Sequence, residues 1–206
     1  MKYPAFFDQV EPIQLQDSLS NFLGAFENGE LEITYLDCVK LAGHSCPTVA
    51  GAYLMALMGL KALYGAARPQ RGKIKVEMRD AETDGVTGVV CTAIAFIAGA
   101  GGDGGFKGIQ GNMSRNNLVA YDAPIQREVR LTRLDTGESV EVDYDPSPIP
   151  PSPQMMPLMV KKTQNRASAE EKVQFGQLWQ ERVEKILLGK GCWDNMITIT
   201  SNFSRV

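Results

Sequence analysis

With 206 residues, 44% of them hydrophobic and 22% charged, the chain has material for one substantial core, and a single domain over residues 1–206 is expected. Its formal net charge of −3, with no long basic run, excludes a nucleic-acid binder that works by phosphate attraction. The apolar run at 47–60 is shorter than the ~20 residues a bilayer crossing requires, and residues 1–8 lack a signal-peptide apolar stretch. A cytoplasmic protein with no membrane partner is the expectation.

Leu15, Leu19, Phe22, Leu23 and Phe26 recur at helical spacing, which predicts a helix over 14–28 that ends at Asn28-Gly29. A short strand is expected at 31–34. Thr34 with Asp37 three residues on forms the capping box of a second helix, which carries Cys38 as core filler and delivers the chain to Gly43.

Gly43-His-Ser-Cys-Pro47 is the stretch where chemistry concentrates. His44 is the only histidine, Cys46 follows two residues later, and Pro47 suits the first position of a helix, where its missing N–H costs nothing. Cys46 then falls at the N-cap, and thiols at the positive end of a helix macrodipole favour the thiolate that binds metals and attacks electrophiles. An imidazole and a thiol that flank one residue suit zinc or a similar transition metal. The residues alone equally fit a small buried cysteine beside a hydrogen-bonded loop histidine. The helix over 47–64 has no charge before Lys61, so it is expected to be buried all round, with Gly51 and Gly59 marking close approach of another backbone, at a subunit interface among other places.

Alternation over 73–79 predicts a strand, and the acidic residues 80–84 a solvated loop. Residues 88–98, with Cys91, read as a second buried helix. The segment 99–111 has seven glycines in thirteen residues. Gly99, Gly101 and Gly104 match Gly-x-Gly-x-x-Gly, but the motif follows a helix rather than a strand, so a dinucleotide site is rejected. The density of glycine still allows an anion-binding nest, with Asp103 and Lys107 as the charges of the loop. An antiparallel region is expected from 116, with a hairpin built on 128–134 and 139–144 around Asp135-Thr-Gly137. Six prolines in 146–157 predict an extended connector. Ser168-Ala-Glu-Glu171 opens a last helix that stops at Gly189, and 196–200 reads as a strand. The whole predicts an α+β fold, with a mixed or antiparallel sheet and helices packed around the central helix. The cysteines at 38, 46, 91 and 192 have no Cys-x-x-Cys spacing, so neither a zinc ribbon nor a disulfide framework is expected.

At His44, Cys46 and Pro47, then Ala98-Gly99, then Gln110-Gly-Asn112, the chain resembles the E-subunit family of formylmethanofuran dehydrogenase over roughly residues 15–125. The resemblance departs where relatives have a second histidine and this chain has Ala42. Cys91 falls near a family cysteine without matching it, and the cysteine-rich zinc finger that many relatives append is absent. The likeness implies an α+β fold, a metal pocket at the His-x-Cys turn and a homodimer. It does not imply formylmethanofuran chemistry.

The expected function is therefore a metal-binding protein, zinc being the expected ion. His44 and Cys46 are its ligands, with Cys91 the next candidate, and a small ligand is expected beside Asp103 and Lys107. Two alternatives stay open. One is an enzyme with Cys46 as nucleophile and His44 as base. The other is a non-catalytic accessory subunit that docks on an oxidoreductase through the proline-rich segment.

Overall fold

The computed structural model describes residues 2–202. Strand β1 (Ile13–Asp17) and helix α1 (Ser18–Phe22) come first, then β2 (Glu30–Ile33). The helix expected over 14–28 is thus mostly absent. Ile13 and Leu15 alternate with glutamines and turn inward, while Phe22, Leu23 and Phe26, counted toward a buried stripe, lie exposed. Asp17 ends the strand by accepting the N–H groups of Leu19 and Ser20 as the cap of α1.

Helix α2 (Tyr35–Ala42) has the expected capping box of Thr34 and Asp37, and Cys38 is buried in the core. Helix α3 (Pro47–Tyr64) starts at Pro47 with Cys46 as N-cap. Strands β3 (Gln70–Arg71) and β4 (Ile74–Met78) lead to α4 (Thr87–Ala98). The glycine-rich segment then runs to β5 (Val119–Ala120), which lies parallel to β4. That corrects the antiparallel region expected from 116. A strand–helix–strand crossover delivers parallel neighbours, and a two-residue strand gives no periodicity by which to see it.

The hairpin of β6 (Val129–Arg133) and β7 (Ser139–Tyr144) is antiparallel, as its alternation predicts. Helix α5 (Met155–Thr163) begins inside the proline-rich stretch expected to be extended, because Pro157 sits in the first turn, where an N–H has no helical partner. Helix α6 (Ala169–Leu188) has its Ser168–Glu171 capping box, and α7 (Trp193–Met196) precedes β8 (Ile197–Asn202). Among the described residues two mixed sheets form, ordered β2-β1-β3 and β5-β4-β6-β7-β8. The fold is α+β. No described helix is long and apolar enough to cross a membrane.

Helix α3 lies across the larger sheet, with α2, α4 and α6 also packed on it. Its two interior glycines meet partners within the same chain. A Cβ on Gly59 would stand 3.0 Å from Leu131 Cδ1 and 3.1 Å from Val142 Cγ2, and one on Gly51 would collide with the Tyr144 ring. The close approach read from these glycines is thus answered by β6 and β7 and needs no second subunit. Gly51→Ala is expected to cost about 1–3 kcal/mol by overpacking against Tyr144. Gly176→Ala, in α6 with nothing within 4 Å of the added carbon, should stabilise by about 0.5–1 kcal/mol. Urea midpoints check both, and shifts of the same sign would contradict the packing described.

Candidate functional site

Helix α2 ends on Gly43 at φ 74, a left-handed cap that reverses the chain into the turn. The next residues are held from far along the sequence. The Ser45 carbonyl accepts from Trp179 Nε1 at 2.9 Å and from Gln180 Nε2 at 3.4 Å. The Ser45 hydroxyl lies 2.9 Å from the Tyr35 hydroxyl and donates to Gln180 Oε1 at 3.0 Å. Helix α6 thereby clamps the turn between α2 and α3. Nothing in the sequence beyond its place on the last helix pointed to Trp179.

On this clamped turn His44 is exposed, and its Nδ1 stands 2.9 Å from the Ala42 carbonyl oxygen. A carbonyl only accepts, so Nδ1 carries a proton, and in the neutral ring Nε2 is the nitrogen with the free lone pair. Cys46, 8% exposed, caps α3 with its sulfur, which accepts the Val49 N–H at 3.4 Å. Among the described residues no three of His, Cys, Asp and Glu gather as a metal-holding group. The turn offers two donors of its own.

Cys91 and Asp103 meet elsewhere, in a cleft of about 580 Å³. Cys91 lies on α4, Glu82 on the acidic loop before it, Tyr121 just after β5, and Asp103 on the glycine-rich segment. Gly88 lets the acidic loop lie against α4, since a Cβ there would stand 2.9 Å from the Glu82 carbonyl oxygen. The Tyr121 hydroxyl donates to Glu82 Oε1 at 3.5 Å. Burial pushes the Cys91 thiol up; the Tyr121 hydroxyl partly counters this and the Glu82 charge adds to it. Burial, Cys91 and Glu82 likewise hold the Tyr121 hydroxyl well above the usual phenol range. Tyr121 and Glu82 had no signal in the sequence beyond residue type.

His44 and Cys46 are not among the residues that line this cleft, and neither is Lys107, which is exposed on the same loop as Asp103. Leu41 is on its wall, and the three residues from Leu41 to His44 span at most about 10 Å. The glycines mostly serve the loop itself. Gly101 N–H donates to the Arg115 carbonyl at 2.7 Å and Gly105 N–H to that of Gly102 at 2.9 Å, so these two amides are not turned to a ligand.

The α+β fold thus presents an imidazole and a capping thiol on a clamped turn, a few residues along the chain from the wall of the Cys91 cleft. The family model FmdE, described as molybdenum formylmethanofuran dehydrogenase operon, matches residues 41–189, which take in the turn, the cleft and the clamping helix. The chain belongs to the FmdE family. No curated protein matches it.

Because the Cys91 thiol is raised, it stays protonated at neutral pH, and its alkylation should accelerate only above the ordinary cysteine midpoint near ~8.5. Tyr121→Phe removes the hydroxyl that stabilises the thiolate and should move the rise further to alkaline pH. Peptide mapping of iodoacetamide labelling against pH reads this directly; a plateau already reached at pH 7 would contradict it.

Proposed function

We propose that this FmdE-family chain is a metal-binding protein whose ion, zinc by the donor chemistry, is held by His44 and Cys46, and that the adjoining cleft takes a small ligand. The observation that carries this reading is the ring of His44. Its Nδ1–H is engaged by the Ala42 carbonyl, the arrangement that fixes the tautomer of metal-binding histidines and leaves Nε2 for the ion. Cys46 adds a sulfur held rigid at the start of a buried helix.

The pair fits an ion of this kind but not a closed structural site, which takes four protein ligands. The remaining positions fall to water, to a ligand or to a donor from a second copy. A homodimer belongs to this reading, and Leu41, Val86 and Val89, exposed on α2 and at the start of α4, supply apolar surface for it. A bound ion would supply Lewis acidity at the turn. The chain's own part is to hold the donors in place through the Trp179–Ser45 clamp, while Cys91 and Asp103 shape the cleft and Asp103 with Lys107 gives its loop one charge of each sign.

Protein purified without chelator should carry a stoichiometric transition metal by plasma mass spectrometry, and His44→Ala and Cys46→Ala should each lose most of it. One ion per chain marks an open site; one per two chains, with twice the chain mass in light scattering, marks a shared one. Wild-type protein that stays metal-free after incubation with zinc would overturn the reading. Rapid alkylation of Cys46 in that metal-free protein would favour the nucleophilic enzyme instead.

A further inference from the structure

A second cleft, of about 300 Å³, lies between the start of α1, the β3–β4 connection and the segment after the glycine loop, and shares no lining residue with the Cys91 cleft. Arg71, Lys73 and Arg115 line it, with the hydroxyl residues Ser18 and Ser114. The two arginines share one carboxylate. Asp17, 2% exposed, accepts from Arg71 Nη1 at 3.1 Å and from Arg115 Nη2 at 2.5 and 2.6 Å, besides its two α1 amides. That carboxylate is saturated and lies behind the guanidinium groups. Asp135 also lines the cleft, but Arg133 already holds it through two hydrogen bonds of 3.0 and 2.8 Å.

The cations are left with surplus donors. Arg71 gives Nη2 to the Phe96 carbonyl at 2.8 Å, and its Nε is buried with no acceptor. Among the described residues Arg115 donates only through Nη2, and no carboxylate pairs with Lys73. Three positive charges thus share one carboxylate, Asp17, in a chain whose net charge is −3. Burial, and then the adjacent Arg115 charge, hold the Arg71 guanidinium below its ordinary value, although Asp17 acts against both.

Two glycines make room for this pair. Gly72, at φ 80, would with a Cβ come within 3.2 Å of Arg115 Nε. Gly99, at φ 66, would come within 2.7 Å of Arg71 Cγ and 3.3 Å of Arg115 Nη1. Both positions need a left-handed backbone and an absent side chain, and both lie directly against the arginines.

We propose that the cleft lined by Arg71, Lys73 and Arg115 is a binding site for a phosphate dianion, free or as the ester of a small organic group. Arg115, with Nε and Nη1 uncommitted, offers a fork that matches phosphate oxygens, Arg71 and Lys73 add charge, and a dianion balances the two charges in excess. The volume stands at the low end for ligand sites, which suits a phosphate with a small substituent. The site is separate from the His44–Cys46 turn, so it stands or falls independently of the metal reading.

Calorimetry on the full chain, at constant ionic strength, tests it with inorganic phosphate, glycerol 3-phosphate and malonate. Phosphate should bind at one site and raise the melting temperature with concentration. Lys73→Gln, an exposed position with no partner to lose, should leave the melting temperature without phosphate unchanged and weaken binding roughly five- to tenfold, the scale of one charge-assisted contact. Lys172→Gln on α6 should leave binding at the wild-type level. Tighter binding of glycerol 3-phosphate marks the ester as the ligand, and equal binding marks the free ion. Absence of binding at millimolar phosphate, affinity unaltered by Lys73→Gln, or preference for malonate would each overturn the proposal.

Discussion

The fold depends on one helix that is buried on nearly every side as far as Leu60. Helix α3 is flanked by the larger sheet and by α2, α4 and α6, and nearly every side chain between Val49 and Leu60 is buried. Its hydrophobic transfer drives the packing, but its two glycines set how close the sheet comes. Because the helix is fixed along its length, its first turn is fixed too. Cys46 takes its position from core packing together with its own cap to the Val49 N–H.

Much of this was legible where local chemistry decides structure. The Thr34–Asp37 and Ser168–Glu171 boxes, the Cys46–Pro47 start and the alternation of the β6–β7 hairpin each name their element within a few residues. The misreadings share a cause. Ile13 and Leu15 fit both a strand and the first turn of a helix, and only pairing with Leu31 and Ile33 across the sheet decides between them. The two residues of β5 carry no period at all. Proline at 157 reads as a helix breaker until its place in the first turn is known.

The site divides in the same way. His44 and Cys46 are picked out by residue type and by their single-residue spacing, a pattern that an inert buried cysteine beside a loop histidine fits equally. What holds or surrounds them is non-local. Trp179 meets Ser45 across 134 residues, and Asp17 meets Arg115 across 98. Tyr121 joins Cys91 through the β4–α4–β5 crossover. No pattern in one sequence encodes such pairs, because they follow from the packing of whole elements.

The separation between Ser45 and Trp179 also bears on how the protein is made. A chain emerging from the ribosome presents His44 and Cys46 well before Trp179, which lies 134 residues beyond Ser45. Until α6 docks, the Ser45 carbonyl has neither of its indole and amide donors, and α3 has an open apolar flank. The turn therefore takes its final geometry only after α6 has been made and has docked. A product cut short before residue 179 would hold His44 and Cys46 without the indole that clamps their turn.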